Sequence, residues 1–167
     1  PYRFFFFCML RLNAVEEVTE SMQKSDYGQF VHRALEVFHQ ANPSVLKMKE
    51  EQAENALSAC VAAIFKEAIH ADFLAHSWRL RFKKQIKSYL KWQRKLEAEG
   101  FRFQYAEQQL TREIVVNAPY SVLLYGRIDR EDVQQKSGEI ALFDYKTQKA
   151  DKIQKRLEDD IQLPLYA

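Results

Sequence analysis

The chain has 167 residues, of which 47% are hydrophobic and 12 are phenylalanine, so it can bury one sizeable core, and its length predicts a single domain over residues 1–167. A net charge of +2 does not by itself indicate a nucleic-acid partner. Two cysteines, Cys8 and Cys60, exclude a disulfide framework or a four-cysteine metal site and favour reduced thiols in a cytoplasmic protein. No apolar stretch is long enough to span a bilayer, so we expect no membrane partner.

The predicted elements divide the chain into a helical part over residues 1–100 and a sheet with a closing helix over residues 101–167. Apolar residues recur at helical spacing in the first part and alternate with polar residues in the second. Helices are predicted near Tyr2–Leu12, Tyr27–Gln40, Val45–Ala71 and His76–Glu99, strands near Phe101–Val116, Val122–Asp132 and Glu139–Lys146, and a last helix from Lys152 to the end. Asp26 is the expected N-cap of the second helix.

The helix predicted after His76 is strongly basic. It carries eight lysines and arginines between Arg79 and Lys95 and no acidic residue there. Three of the lysines are candidate phosphate contacts: Lys84, Lys87 and Lys91. A solvated helix face explains the same pattern. Trp92 could stack on bases, but core packing is the better interpretation.

Two acidic residues and a lysine in the second part are predicted to meet beside one strand pair. Residues 134–138 have the composition of a hairpin turn, which would bring Asp129 beside Asp144. Strand alternation sends Asp144 and Lys146 to the same face. Adjacent carboxylates repel each other unless a cation lies between them, and hard oxygen ligands suit Mg²⁺ or Mn²⁺. The pattern predicts a metal site.

Such a site fits hydrolysis of a phosphodiester. Mg²⁺ held by few carboxylates keeps several waters and shares substrate phosphate oxygens. Lys146 would orient the attacking water or neutralise charge on the phosphate. The alternative is purely structural: Asp129 pairs with Arg127 or Arg130, and Asp144 and Lys146 are ordinary strand-edge charges.

Five stretches, in this order, resemble the motifs of the RecB-like branch of the PD-(D/E)XK nucleases, which includes the nuclease domains of AddB-type helicase-nuclease subunits. They are Pro1–Phe5, Gly28–His32, Gly126–Arg130, Asp144–Thr147 and Gln162–Tyr166. The resemblance spans almost the whole chain. It implies an α/β (α+β) restriction-endonuclease-like core, with a small mixed sheet flanked by helices and a helical N-terminal half.

The resemblance also implies which residues form the site. Four ligands would hold Mg²⁺ or Mn²⁺: His32, Asp129, Asp144 and the backbone carbonyl of Tyr145. Asp129, Asp144 and Lys146 would be catalytic. Gln162 and Tyr166 would lie on a helix beside the site and position the DNA strand.

Two of these positions have plainer interpretations. By itself, a histidine among apolar residues, such as His32, is more often a core or boundary residue with a hydrogen-bond partner than a ligand. Gly28, on the same helical face, would let another group approach closely beneath the imidazole. Glu107 either orients the metal ligands through contacts with them, without binding the metal itself, or is an exposed strand glutamate.

The resemblance implies a metal-dependent DNA nuclease, expected to be an exonuclease, that works with a helicase domain or subunit in DNA-end processing, recombination or double-strand-break repair. A CRISPR-associated or phage-type exonuclease of the same superfamily is one alternative, and a DNA-binding module that cuts too slowly to matter is another. Because the chain begins with Pro1 and ends directly after Tyr166, we expect an excised domain. The cysteines that hold an iron-sulfur cluster in AddB-type relatives have no counterpart here.

Overall fold

A computed structural model describes residues 24–71, 73–117 and 120–147. Three helices precede three strands, and this mixed α/β architecture confirms the predicted fold class. The elements are α1 Lys24–Ala41, α2 Glu50–Ala71, α3 Phe73–Ala98, β1 Phe101–Asn117, β2 Tyr120–Gln134 and β3 Ile140–Phe143. The predicted first and last helices, including Gln162 and Tyr166, lie outside the described residues.

The three helices pack around one apolar core. Burial follows the spacing of three and four residues that puts side chains on one helical face. The most deeply buried apolar residues of α1 and α2 are Ala34, Phe38, Ala53, Leu57 and Phe65. None of the described helices is both long and apolar enough to cross a membrane.

All three described helices begin at residues other than those predicted. Helix α1 begins at Lys24, so Asp26 lies in its first turn rather than at the N-cap. In the first turn its negative charge still interacts favourably with the positive end of the helix dipole. Helix α3 begins at Phe73 instead of His76, and it ends at Ala98.

The helix predicted from Val45 begins only at Glu50, because the residues before it are bound to α3. The buried carboxylate of Glu97 accepts four hydrogen bonds of 2.9 to 3.0 Å, from Ser44 Oγ, the backbone amides of Val45 and Leu46, and Gln93 Nε2. The Met48 amide closes a tight turn on the carbonyl of Val45. Burial raises the pKa of Glu97, but its hydrogen bonds outweigh burial and lower the pKa below its ordinary value.

The described sheet has the strand order β1-β2-β3 and is antiparallel throughout, whereas a mixed sheet was expected. Hairpins join each strand to the next, and such connections give antiparallel pairs. The predicted turn over residues 134–138 is confirmed, with the Ser137 amide donating to Gln134 Oε1 at 2.7 Å and Gly138 at a φ of 74°. Strand β3 ends at Phe143, so residues 144–147 follow it without regular strand pairing.

Candidate metal centre

Three side chains that can bind a metal converge from three elements: His32 of α1, Glu107 of β1 and Asp129 of β2. Their ligand atoms lie within 4.8 Å of one another. His32 Nδ1 is 3.3 Å from Glu107 Oε1 and 3.4 Å from Asp129 Oδ1. Imidazole nitrogen and carboxylate oxygen suit a divalent cation of the first transition row, and the oxygens also suit Mg²⁺. The chemistry of the donor set therefore fits a divalent metal.

Glu107 is placed in this cluster by an irregular part of β1. The register shifts between Phe103 and Tyr105, and Glu107 has a φ of 53°, in the left-handed region that non-glycine residues rarely adopt. Such a backbone costs about 1 to 3 kcal/mol and persists where surrounding contacts hold it. Arg127 Nε holds Glu107 Oε2 at 2.9 Å. Glu107 is thus a half-buried member of the cluster and not an exposed strand glutamate.

The two ring nitrogens of His32 have different partners. His32 Nε2 lies 2.9 Å from the carbonyl oxygen of Tyr145, which can only accept, so Nε2 donates. In the neutral ring, Nδ1 then presents a lone pair to the carboxylates of Glu107 and Asp129. Three acceptors facing one another repel, and either a proton on Nδ1 or a cation removes that repulsion. His32 therefore faces two carboxylates as well as its hydrogen-bond partner, and its role as a metal ligand remains a prediction.

Asp129 is held from its other side by the backbone. Its Oδ2 accepts a 2.6 Å hydrogen bond from the amide of Tyr145, which leaves Oδ1 directed at His32. Burial raises the pKa of Asp129, the Tyr145 amide and His32 lower it, and the nearby Asp144 raises it again, so that the pKa lies above its ordinary value. The charge of Asp144 therefore acts on Asp129, and a shared role of the two aspartates remains a prediction.

Asp144 and Lys146 meet directly, with Lys146 Nζ 2.6 Å from Asp144 Oδ2. Their proximity agrees with the prediction, although the strand has already ended at Phe143. Within the described residues, Glu107 completes the histidine cluster and Asp144 pairs with the lysine. The role of Asp144 as a metal ligand remains a prediction.

The arginines beside the motif do not neutralise Asp129 in the way the structural alternative supposed. Arg127 pairs with Glu107, and Arg130 pairs with Asp132 at 2.6 Å. Nothing in the sequence pattern indicated that Asp132 would be fully buried and paired with Arg130. The arginine of the motif is instead a buried structural cation.

The basic residues of α3 are divided around the helix. Lys84, Lys87 and Lys91 are exposed, and Lys87 lies 3.7 Å from Glu54 of α2. Arg81, which was not among the predicted phosphate contacts, reaches the site segment and donates to the Thr147 carbonyl at 3.3 Å. It lies three residues before Lys84, on the same side of the helix.

Two smaller predictions can also be compared with the structure. Trp92 packs edge-on against Phe143 with ring centroids 5.3 Å apart, but it is 38% exposed, so it is a boundary residue and not part of the buried core that was expected. A β-carbon at Gly28 would lie 3.7 Å from Thr147 Oγ1, an ordinary contact. The expected close approach at Gly28 therefore does not require glycine.

A histidine, several carboxylates and a lysine gathered at the side of a small sheet are the kinds of groups that a metal-dependent hydrolase uses. The chain belongs to the PD-(D/E)XK nuclease superfamily, whose family model matches residues 1–167. Nucleases of this superfamily use divalent metal ions. No curated protein matches the chain.

Proposed function

We propose that the chain is a Mg²⁺- or Mn²⁺-dependent deoxyribonuclease domain. The observation that carries this proposal is the convergence of His32, Glu107 and Asp129 beside the Asp144–Lys146 pair. A cation bound between these acceptor atoms would remove their mutual repulsion, and the nearby lysine could interact with an anionic substrate.

Two ligand sets agree with these contacts. In the first, the ion takes the place between His32 Nδ1, Glu107 and Asp129. In the second, which the motif resemblance implies, His32, Asp129, Asp144 and the Tyr145 carbonyl hold it.

The second set requires His32 to bind through Nε2, the nitrogen 2.9 Å from the Tyr145 carbonyl. These two atoms are close enough together that both could bind one divalent ion. The ring proton would then lie on Nδ1 and be donated to Glu107, which orients the imidazole. The two sets thus give Glu107 different roles.

A bound divalent ion would lower the pKa of its water and polarise the phosphate. Lys146 carries the ammonium group suited to orienting the attacking water or offsetting charge on the phosphate. Arg81 and Lys84 extend positive charge from the site along α3, where phosphates of the strand can bind. Gln162 and Tyr166 are proposed to position the same strand.

We further propose a RecB-like exonuclease that acts in the cytoplasm with a helicase domain or subunit, in DNA-end processing, recombination or break repair. The order of the five motifs supports this assignment. Two alternatives are kept. A CRISPR-associated or phage-type exonuclease of the same superfamily would use the same chemistry. A DNA-binding module that cuts slowly would use the same basic surface.

The test is cleavage of end-labelled single- and double-stranded DNA by the full chain in Mg²⁺, Mn²⁺ or EDTA, beside Asp129→Asn and Lys136→Ala. The proposal expects metal-dependent cutting that Asp129→Asn abolishes and that Lys136→Ala, in the exposed turn, retains. A folded chain that binds Mn²⁺ and DNA without cutting either substrate would favour the binding module. A folded chain that binds no divalent ion would contradict the metal centre itself.

A further inference from the structure

Directly behind the metal centre lies a buried cation that the proposed chemistry does not use. Arg130 is 1% exposed and Asp132 is 0% exposed. Two parallel hydrogen bonds of 2.6 Å join them, from Arg130 Nε and Nη2 to the two carboxylate oxygens. The rings of Trp92, Phe103 and Phe143 surround the guanidinium at 5.4 to 5.8 Å. A charge pair this deeply buried is held in one geometry.

The remaining nitrogen of the guanidinium faces three acceptors. Arg130 Nη1 lies 3.0 Å from His39 Nε2, 3.0 Å from the Tyr89 hydroxyl and 3.4 Å from the Tyr145 hydroxyl. Tyr89 and Tyr145 also contact each other at 3.2 Å through their hydroxyls. Burial and the charge of Arg130 lower the pKa of His39 well below its ordinary value, so its ring is neutral and accepts. The phenol of Tyr145 is thereby tied to α1, α3 and β2.

Tyr145 is also the residue whose backbone contacts the metal centre on both sides. Its carbonyl accepts from His32, and its amide donates to Asp129. The pairing between β2 and β3 ends at Phe143, so within the described part of the chain Tyr145 lies beyond the end of that strand pairing. Side-chain contacts must supply the placement that the sheet no longer gives.

We infer that the buried Arg130 network is a positioning device for the metal centre. Arg130, Tyr89 and His39 hold the Tyr145 ring, and the ring fixes the peptide groups that orient His32 and Asp129. These three are positioning residues because, among the described contacts, their side chains reach the site through Tyr145 and not through a proposed ligand side chain. The inference rests on the proposed metal-dependent function.

Tyr145→Phe tests this role, because it removes one hydroxyl and keeps the ring and the backbone. The dissociation constant for Mn²⁺ is measured by titration calorimetry and by the electron paramagnetic resonance signal of free Mn²⁺, well below the melting temperature. Loss of an outer hydrogen-bond partner typically weakens metal binding 10- to 100-fold, and we expect a loss of about tenfold. Tyr105→Phe, at an exposed tyrosine of β1, is the matched control and should bind Mn²⁺ like the original chain.

Cleavage assays separate positioning from general destabilisation. A positioning role predicts that Tyr145→Phe needs more Mn²⁺ for half-maximal cleavage and approaches the original rate at saturating Mn²⁺. A merely structural hydroxyl would lower the melting temperature and leave the Mn²⁺ dissociation constant unchanged, which would overturn the inference.

Tyr89→Phe replaces Tyr145→Phe if the latter does not fold, since it removes the hydroxyl that joins Tyr145 to His39. Equal Mn²⁺ binding by the original chain and a folded variant would refute the positioning role alone. Absence of Mn²⁺ binding by the original chain would refute the proposed function and this inference with it.

Discussion

The amide of Tyr145 donates a 2.6 Å hydrogen bond to Oδ2 of Asp129, so the irregular segment after β3 is bound directly to β2. One carboxylate oxygen of Asp129 is thereby occupied by the protein, and the other faces His32. This arrangement leaves one oxygen of Asp129 for the ion that we propose. Both proposed ligand sets include Asp129. They differ in the His32 nitrogen that binds, in whether Asp144 and the Tyr145 carbonyl are ligands, and in the role of Glu107.

Glu107→Gln distinguishes the two ligand sets. If Glu107 is a ligand, losing its charge should weaken Mn²⁺ binding by more than about 100-fold, beyond the range of outer partners. If Glu107 accepts the proton of His32 Nδ1, the glutamine oxygen can still accept it, and the loss should be about tenfold or less. Calorimetry measures the difference, and Glu113→Gln, at an exposed glutamate farther along β1, should have no effect.

Lys146→Ala should separate catalysis from metal binding. Lys146 lies 2.6 Å from Asp144 and is not among the described ligand atoms, so the variant should still bind Mn²⁺. Removing a group that stabilises transition-state charge typically costs 10²- to 10³-fold in rate, and we expect a loss of about that size. Single-turnover cleavage at saturating Mn²⁺ measures it. A near-normal rate would exclude Lys146 from the chemistry.

Glu97→Gln should destabilise the fold without changing the site. The substitution removes a charge that accepts four hydrogen bonds, and bonds to charged groups contribute about 1.5 to 3 kcal/mol each in mutational series. Because glutamine can keep some of these contacts, we expect the free energy of unfolding to fall by about 2 kcal/mol. Urea denaturation tests this, with the exposed Glu99→Gln as control. A change as small as that of the control would show that the charge is dispensable.

Stability should fall as the pH drops below the ordinary histidine pKa of about 6.5, because His39 is buried and neutral. Its pKa in the fold lies well below that of the unfolded chain, so the unfolded state binds a proton that the folded state does not. The stability present above pH 6.5 is then lost by up to about 1.4 kcal/mol per pH unit as the pH falls.

His39→Gln isolates this effect, since the other histidines are unchanged. Between pH 5.5 and about 6.5, the variant should show a shallower dependence of unfolding free energy on pH than the original chain. Parallel curves would mean that His39 does not carry the dependence.

The helices and the hairpin were predictable because periodicity and turn composition are local signals. The proximity of Asp144 and Lys146 was also predictable, because it follows from their spacing in the sequence. Glu107 was harder to place, because its position depends on a register shift and a left-handed backbone that alternation does not reveal. The late start of α2 had a similar cause, since Glu97 acts on the loop from 51 to 53 residues away.

The Arg130 network could not be predicted from any single motif. His39, Tyr89 and Asp132 come from three elements, and each has an ordinary sequence neighbourhood. Only the packing of α1 and α3 against the sheet shows that they share one guanidinium.

The hydrogen bond from His32 to Tyr145 joins residues that are 113 positions apart. A centre built on such a contact cannot exist in a partly folded chain, because α1 must already be docked on the sheet before the ligands meet. A metal ion bound there would link helix α1 to the strands and stabilise their association. At a concentration 100 times its dissociation constant it would add about 2.7 kcal/mol to the free energy of unfolding, so a chelator would weaken the association of the two parts as well as stopping the chemistry.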